Sequence, residues 1–208
     1  MIIDHIYIFS DKGQETDELV KFGLTEGSGR KHQGIGTANR RVFFENFYLE
    51  ILWVQNPKEA QSVNSLDIWE RSNYQTNSYS RFGICLKNTE DTDSIFTGSM
   101  KWQPDFLPQG SVVDLITNEK MPWIFRLPRY PKRLNITEPI YHKIEIGQLT
   151  KAVFHLKSLD FEEILSKIEK HSILEFHQSL EECLILDFDN RQQGKIQKFP
   201  ELSLIINY

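Results

Sequence analysis

Ile2-Ile3-Asp4-His5-Ile6-Tyr7-Ile8-Phe9 opens the chain, and its reading decides the rest. β-Branched and aromatic residues crowd it, so it reads as a strand. Successive side chains of a strand point to opposite faces, which sends Ile6 and Ile8 one way and His5 and Tyr7 the other. Ser10 and Asp11 follow as helix-cap candidates. Leu19, Val20 and Phe22 then mark a short helix over residues 13–22, with Gly23 as its stop. After a glycine-rich stretch, 27–36, two strands at 37–44 and 47–54 flank Glu45-Asn46, a hairpin of two-residue loop length.

The same order recurs. Residues 82–87 read as a strand, Asn88-Thr89-Glu90-Asp91 as the start of a short helix reaching Phe96, and 111–117 and 121–127 as two strands around a polar turn. A third pass begins at 149–157. There Asp160 is an N-cap candidate with Glu163 three residues on, and Phe161, Ile164, Leu165 and Ile168 follow the helical period. Residues 184–188 and 202–208 supply later strands. The expectation is an α+β protein of repeated β-α-β-β-β units around a ligand-sized cleft. Its first module spans 1–55, its second 79–130 and a third, partial one 147–208, with linkers at 56–78 and 131–146. The C-terminal part is open to two uses: a partial module against the first two, or the surface of a homodimer.

Composition narrows the function. The 208 residues carry a formal net charge of −5, which argues against a nucleic-acid partner held by phosphate neutralisation. No run approaches the roughly 20 apolar residues that span a bilayer, and the N-terminus does not read as a secretory leader. The expectation is therefore no membrane partner and a cytoplasmic location. Cys85 and Cys183 sit in apolar strands and read as buried thiols rather than a disulfide or metal framework.

Asp4-His5-Ile6, the segment from His32 to Asn39, Tyr48-Leu49-Glu50-Ile51 and Met121-Pro122-Trp123-Ile124-Phe125 resemble the glyoxalase-like branch of the vicinal oxygen chelate superfamily. The resemblance implies paired modules whose curled sheets make a half-open barrel with helices outside. It also implies a divalent metal (Zn, Ni, Mn or Fe) on a first-strand His and a last-strand Glu from each module, here His5 and Glu50. Alternation supports part of this: His5, Tyr7, Tyr48, Glu50 and Leu52 share the cleft side, while Leu49 and Ile51 join Ile6 and Ile8. The second module does not complete the set. Matching the strands places Gly83 at the second His and Arg126 at the second Glu, and one His with one carboxylate falls short of the three protein ligands usual for catalytic zinc.

Glu50 has a second candidate role. If Glu45-Asn46 is the turn, Phe44 pairs with Phe47 and Arg41 stands opposite Glu50 as a cross-strand ion pair. Thr37, Asn39 and Arg41 share one face and are candidate ligand contacts, with Tyr7 and Trp102 as aromatic walls. Gly34 and Gly36 read as turn glycines. Arg126, if it takes the second Glu position, would aim a guanidinium into the cleft to bind a carboxylate or phosphate. Arg129, Lys132 and Arg133 read as a solvated loop, and His142, His155, His171 and His177 as ordinary histidines. Two functional readings stand. One is a metal-free binder of a small polar or anionic molecule, using His5, Asn39, Arg41, Glu50 and Arg126. The other is a metal-dependent lyase or dioxygenase in which Glu50 and His5 are catalytic.

Overall fold

The computed structural model describes residues 1–105, 107–129 and 137–208. Lys132 and Arg133, with the first part of the 131–146 linker, lie outside these residues. The chain folds as α+β, with thirteen strands in two mixed sheets among the described residues. Neither sheet closes into a barrel.

The first sheet has eight strands. In chain order they are β1 (Ile3–Phe9), β2 (Arg30–His32), β3 (Thr37–Phe43), β4 (Tyr48–Val54), β5 (Phe82–Leu86), β6 (Met100–Trp102), β7 (Val113–Ile116) and β8 (Trp123–Arg126). Their spatial order is β2-β3-β4-β1-β5-β8-β7-β6. Helix α1 (Thr16–Phe22) connects β1 to the hairpin that follows, and β1 pairs in parallel with β4 as β5 does with β8. The centre of the sheet is the antiparallel pair β1–β5, in which Ile6 faces Ile84. The two halves are therefore related about that pair: Ile6 maps to Ile84, His5 to Gly83 and Tyr7 to Cys85.

The second sheet is built from β9 (Leu149–Leu156), β10 (Leu174–Gln178), β11 (Cys183–Phe188), β12 (Ile196–Phe199) and β13 (Leu204–Asn207), in the order β10-β9-β11-β13-β12. Helix α4 (Glu162–His171) crosses over between β9 and β10. It does not begin on Asp160. Phe161 takes the cap position with φ 69°, and the Ser158 hydroxyl accepts the Asp160 N–H instead. The helix expected at 88–96 reduces to a single 3-10 turn, Glu90–Thr92, because the Thr92 hydroxyl accepts the Thr89 N–H and donates to the Thr89 carbonyl, closing the turn on itself.

Alternation decides how the layers meet. Ile6, Ile8, Leu49, Ile51, Phe82, Ile84 and Ile124 from the first sheet share one apolar core with Phe154, Phe176, Leu186, Phe188 and Ile206 of the second. Leu19 of α1 and Ile168 of α4 close its flanks. Phe82 meets Phe154 edge-on at 5.8 Å, and Phe44 packs on Phe188 at 4.6 Å. Asn46, a mediocre turn residue, is a clamp between the layers: its side chain donates to the Leu149 carbonyl and accepts the Leu149 N–H.

The opposite face of the first sheet carries a second apolar cluster around Tyr7, Phe9, Leu52, Val113, Trp123 and Phe125. The 56–78 segment lies over this face. It forms α2 (Pro57–Ser62) and α3 (Ile68–Ser72), whose Ala60 and Ile68 belong to the same cluster. Gly36 lets α2 dock, since a Cβ there would meet the Asn56 carbonyl oxygen at 2.4 Å. Arg71 fixes α3. Fully buried, it donates to the carbonyls of Ser80, Asn118 and Met121 and to the Thr117 hydroxyl. No helix among the described residues is long and apolar enough to cross a membrane.

Candidate functional site

Between the second face of the large sheet and the α2–α3 segment lies a cavity of about 400 Å³. Its floor comes from alternate residues of the central strands: His5 and Tyr7 on β1, Tyr48, Glu50 and Leu52 on β4, and Trp123 and Phe125 on β8. β3 adds Thr37, Asn39 and Arg41, and Trp102 stands at the β6 side. Of the residues singled out from sequence, His5, Tyr7, Thr37, Asn39, Arg41, Glu50 and Trp102 line this one space.

Arg126 does not. Its Nε donates to Asp114 at 2.7 Å, its Nη1 reaches Thr92 and Asp93, and its guanidinium covers Phe96 in the core behind the sheet. The expectation of an anion-binding Arg126 in the cleft is therefore corrected. Tyr7 pairs with Glu50 and, in the second half, Cys85 pairs with Phe125, so the position related to Glu50 is Phe125 and not Arg126. A match offset by one residue moves a side chain to the other face.

The polar end of the cavity is a connected cluster. His5 Nδ1 lies 2.8 Å from Asp4 Oδ2, and His5 Nε2 lies 3.4 Å from Glu50 Oε2. Asn39 Nδ2 donates to Glu50 Oε1 at 2.5 Å, while Asn39 Oδ1 accepts the Arg30 N–H. The imidazole stacks on Tyr48 with centroids 4.4 Å apart and meets the edge of Phe125 at 5.4 Å. Arg41 does stand opposite Glu50, yet its hydrogen bonds go to the Ser28 carbonyl and hydroxyl, with Glu138 3.9 Å away. Glu50 is thus held by Asn39 and His5, and Arg41 keeps its charge at the cavity wall. His32 and Arg30 complete this end, with His32 Nδ1 2.9 Å from the Thr37 hydroxyl.

Burial sets the protonation of several of these groups. It pushes the Tyr7 and Tyr48 phenols upward, so both stay neutral, and holds His32 below its ordinary value. The Tyr7 hydroxyl is buried with no hydrogen-bond partner among the described residues. On the β8-β7-β6 side the lining is apolar, with Trp102, Leu107, Val113, Trp123, Phe125 and Leu127.

A metal in the arrangement implied by the resemblance does not fit. The position related to His5 is Gly83, and a Cβ built there would lie 1.9 Å from Tyr7 Cε1, so the Tyr7 ring fills the space where a second histidine would begin. The position related to Glu50 is Phe125. A different donor group exists: Asp4, His5 and Cys85 bring one oxygen, one nitrogen and one sulfur within 4.8 Å of one another, the kind of group that can hold an ion. Burial drives the Cys85 thiol well above its ordinary range, and neither Asp4 nor Cys85 lines the cavity.

Sequence reasoning missed Asp4, Arg30, His32, Trp123 and Phe125. Asp4, His32, Trp123 and Phe125 lay within recognised motifs but were not assigned to the cleft. The run Trp123-Ile124-Phe125 is apolar on both faces, so its phase had no internal signal.

Residues 3–94 match the family model of the glyoxalase-like domain. No curated protein matches the chain. A solved structure of a hypothetical protein from Staphylococcus aureus is 13% identical, covering 98% of this chain and 98% of that one with a TM-score of 0.61. That likeness shows a shared fold. A variant of 4-hydroxymandelate synthase from Streptomyces coelicolor is 10% identical over 99% of this chain and 61% of its own, with a TM-score of 0.46. Methylmalonyl-CoA epimerase in complex with methylmalonyl-CoA and NH4+ is 14% identical over 61% of this chain and 94% of its own, with a TM-score of 0.40. At those scores neither of the last two bears on the chemistry of this chain.

Proposed function

With a glyoxalase-like domain over residues 3–94 as the premise, we propose that this protein binds one small molecule in the cavity without a metal bridging His5 and Glu50. The molecule has a polar or anionic head and an apolar, preferably aromatic, body. The observation that carries this reading is the division of one cavity into two ends. His5, Asn39, Arg41 and Glu50 come from β1, β3 and β4 at one, and Trp102, Trp123 and Phe125 from β6 and β8 at the other, with Phe125 meeting His5 where the two join. A few placed polar groups against a mostly apolar lining is the usual composition of a small-molecule site. Arg41 supplies the positive charge for an anionic head, and its backbone-anchored guanidinium is already oriented.

Trp102 and Trp123 give the test a signal. Phenylacetate and 3-phenylpropionate are expected to change tryptophan fluorescence saturably, and phenylacetamide to do so more weakly. Arg41→Ala should weaken the carboxylates by roughly 10- to 100-fold, the range of one charge-assisted hydrogen bond. Equal affinity for acid and amide in both proteins would remove the anionic head from the proposal. Absence of any saturable signal would remove the site. The alternative, a metal-dependent lyase or dioxygenase, requires an ion facing the bound molecule. It would gain support if Zn2+ or Mn2+ bound stoichiometrically and the Glu50→Gln variant lost that binding.

A further inference from the structure

The two sheets share one plan. Each is centred on an antiparallel pair, β1–β5 in the first and β9–β11 in the second, and each strand of the pair has a parallel neighbour on its other side. In both, one face goes to the common core. Ala152, Phe154 and Leu156 of β9, Phe176 of β10 and Leu184 and Leu186 of β11 take that face in the second sheet. Alternation therefore turns Val153, His155, Glu175, His177 and Cys183 outward.

Register then gathers metal-binding side chains that are far apart in sequence. In the parallel pair β9–β10, His155 stands directly opposite His177, and on its other flank it stands opposite Cys183. The two imidazole rings lie 5.6 Å apart between centroids, with 33° between their planes. Glu175, two residues before His177 on the same face, has a carboxylate oxygen 3.5 Å from His177 Nε2. The side chains of His177 and Glu175 are about half exposed, so an ion reaches them without opening the fold.

Two imidazoles and one carboxylate are a donor set found in catalytic zinc centres. Zinc–nitrogen bonds of about 2.0–2.1 Å bring two ligating nitrogens to within about 3 Å of each other. Side-chain rotation at these outward positions supplies that closure. The Glu175 carboxylate is held meanwhile by Lys151, whose Nζ is 2.8 Å away, in an exposed pair of the kind that contributes little to stability. Cys183 is two strand spacings from His177, roughly 9.5 Å, and its short side chain leaves it outside the set.

We infer that His155, His177 and Glu175 bind one zinc-class divalent ion on the outward face of the second sheet. The shared core lies between this site and the cavity, so the inference is independent of the binding reading above. Three protein donors leave a coordination position open to solvent. The imidazole pair selects Zn2+, Ni2+ or Cu2+ over Mg2+ and Ca2+, which prefer oxygen donors.

The full chain, free of any affinity tag and dialysed against chelator, is titrated with Zn2+ alone in a calorimeter. One equivalent is expected to bind saturably at micromolar Zn2+, with excess Mg2+ not competing. His155→Gln and His177→Gln should each weaken that equivalent by about 10-fold or more. Lys151→Ala frees the carboxylate and should tighten it by about 2- to 5-fold. Affinity should rise with pH through the histidine range, because both rings must be neutral to ligate. Zn2+ should raise the melting temperature of the wild type and not that of His177→Gln. Binding only at millimolar Zn2+, or His177→Gln binding as tightly as the wild type, would overturn the inference. So would loss of the single equivalent in His5→Gln or Glu50→Gln, which would move the ion to the first sheet. Unchanged affinity in both Lys151→Ala and Glu175→Gln would strike Glu175 from the set and leave no three-donor site.

Discussion

Replacing Gly83 by alanine tests the claim that Tyr7 occupies the place of a second histidine. A Cβ at Gly83 would lie 1.9 Å from Tyr7 Cε1 and 2.1 Å from Cζ. The nearer contact is about 1.6 Å short of an optimal carbon–carbon separation of about 3.5 Å. The ring cannot retreat freely, because Phe9, Trp123 and Phe125 surround it at centroid distances of 5.5, 6.2 and 6.4 Å. Overpacking of this kind costs about 1–3 kcal/mol, and the confined ring puts Gly83→Ala at the upper end. Tyr7→Ala alone should cost about 3–5 kcal/mol as a large-to-small change. With the ring gone the clash is gone, and the loss of glycine freedom in the unfolded chain should make the same Gly83→Ala change stabilising by about 0.4–1 kcal/mol. The coupling between the two sites is then about 3.5–4 kcal/mol, far outside the roughly 0.5 kcal/mol scatter of independent sites. Urea denaturation of the four proteins, with m-values compared to check two-state behaviour, measures it directly. Additive costs would refute the steric account and reopen the question of why no histidine stands at position 83.

Arg71→Ala should destabilise the fold by about 3 kcal/mol or more, since it strips partners from buried carbonyls of Ser80, Asn118 and Met121. Arg71→Lys should recover little, because an ammonium cannot match a planar fork of donors; thermal melts of both variants decide it. His142 sets a pH dependence. Its Nδ1 accepts the Thr25 N–H at 3.0 Å, a bond only the neutral ring can make, and burial holds the ring below its ordinary value of 6.5. A depressed folded value means stability present above pH 6.5 and lost as pH falls through the folded value. His142→Asn keeps an acceptor without the titration, so its urea midpoint should fall less than the wild type's on acidification. An equal fall in both would exclude His142 as the cause.

Much of the floor of the cavity is legible in the sequence. Strict alternation on the first and fourth strands separates His5, Tyr7 and Glu50 from Ile6, Ile8 and Leu49, and counting outward from Phe44 and Phe47 sets Arg41 opposite Glu50. The illegible places are those where periodicity carries no phase. β8 is apolar on both sides, so aligning its one charge with Glu50 slips the register by a residue. The bulge at Asp4 breaks alternation within a strand that looks regular, and nothing local announces it. The α2–α3 segment resembles a polar linker because its buried apolar residues are only Ala60, Leu66 and Ile68, and its other buried side chain, Arg71, is charged.

β1, β4 and β8 each present one set of side chains to the cavity and the other to the core shared with the second sheet. The floor thus has a solid backing, and no strand in it can yield without disturbing close-packed residues behind. Accommodation of molecules of different girth must fall to the roof, where α2 and α3 rest on a few small contacts and the Arg71 anchor. In a series of ligands of increasing width, selectivity should therefore change with substitutions at Ala60 or Ile68 and stay indifferent to those in the C-terminal sheet.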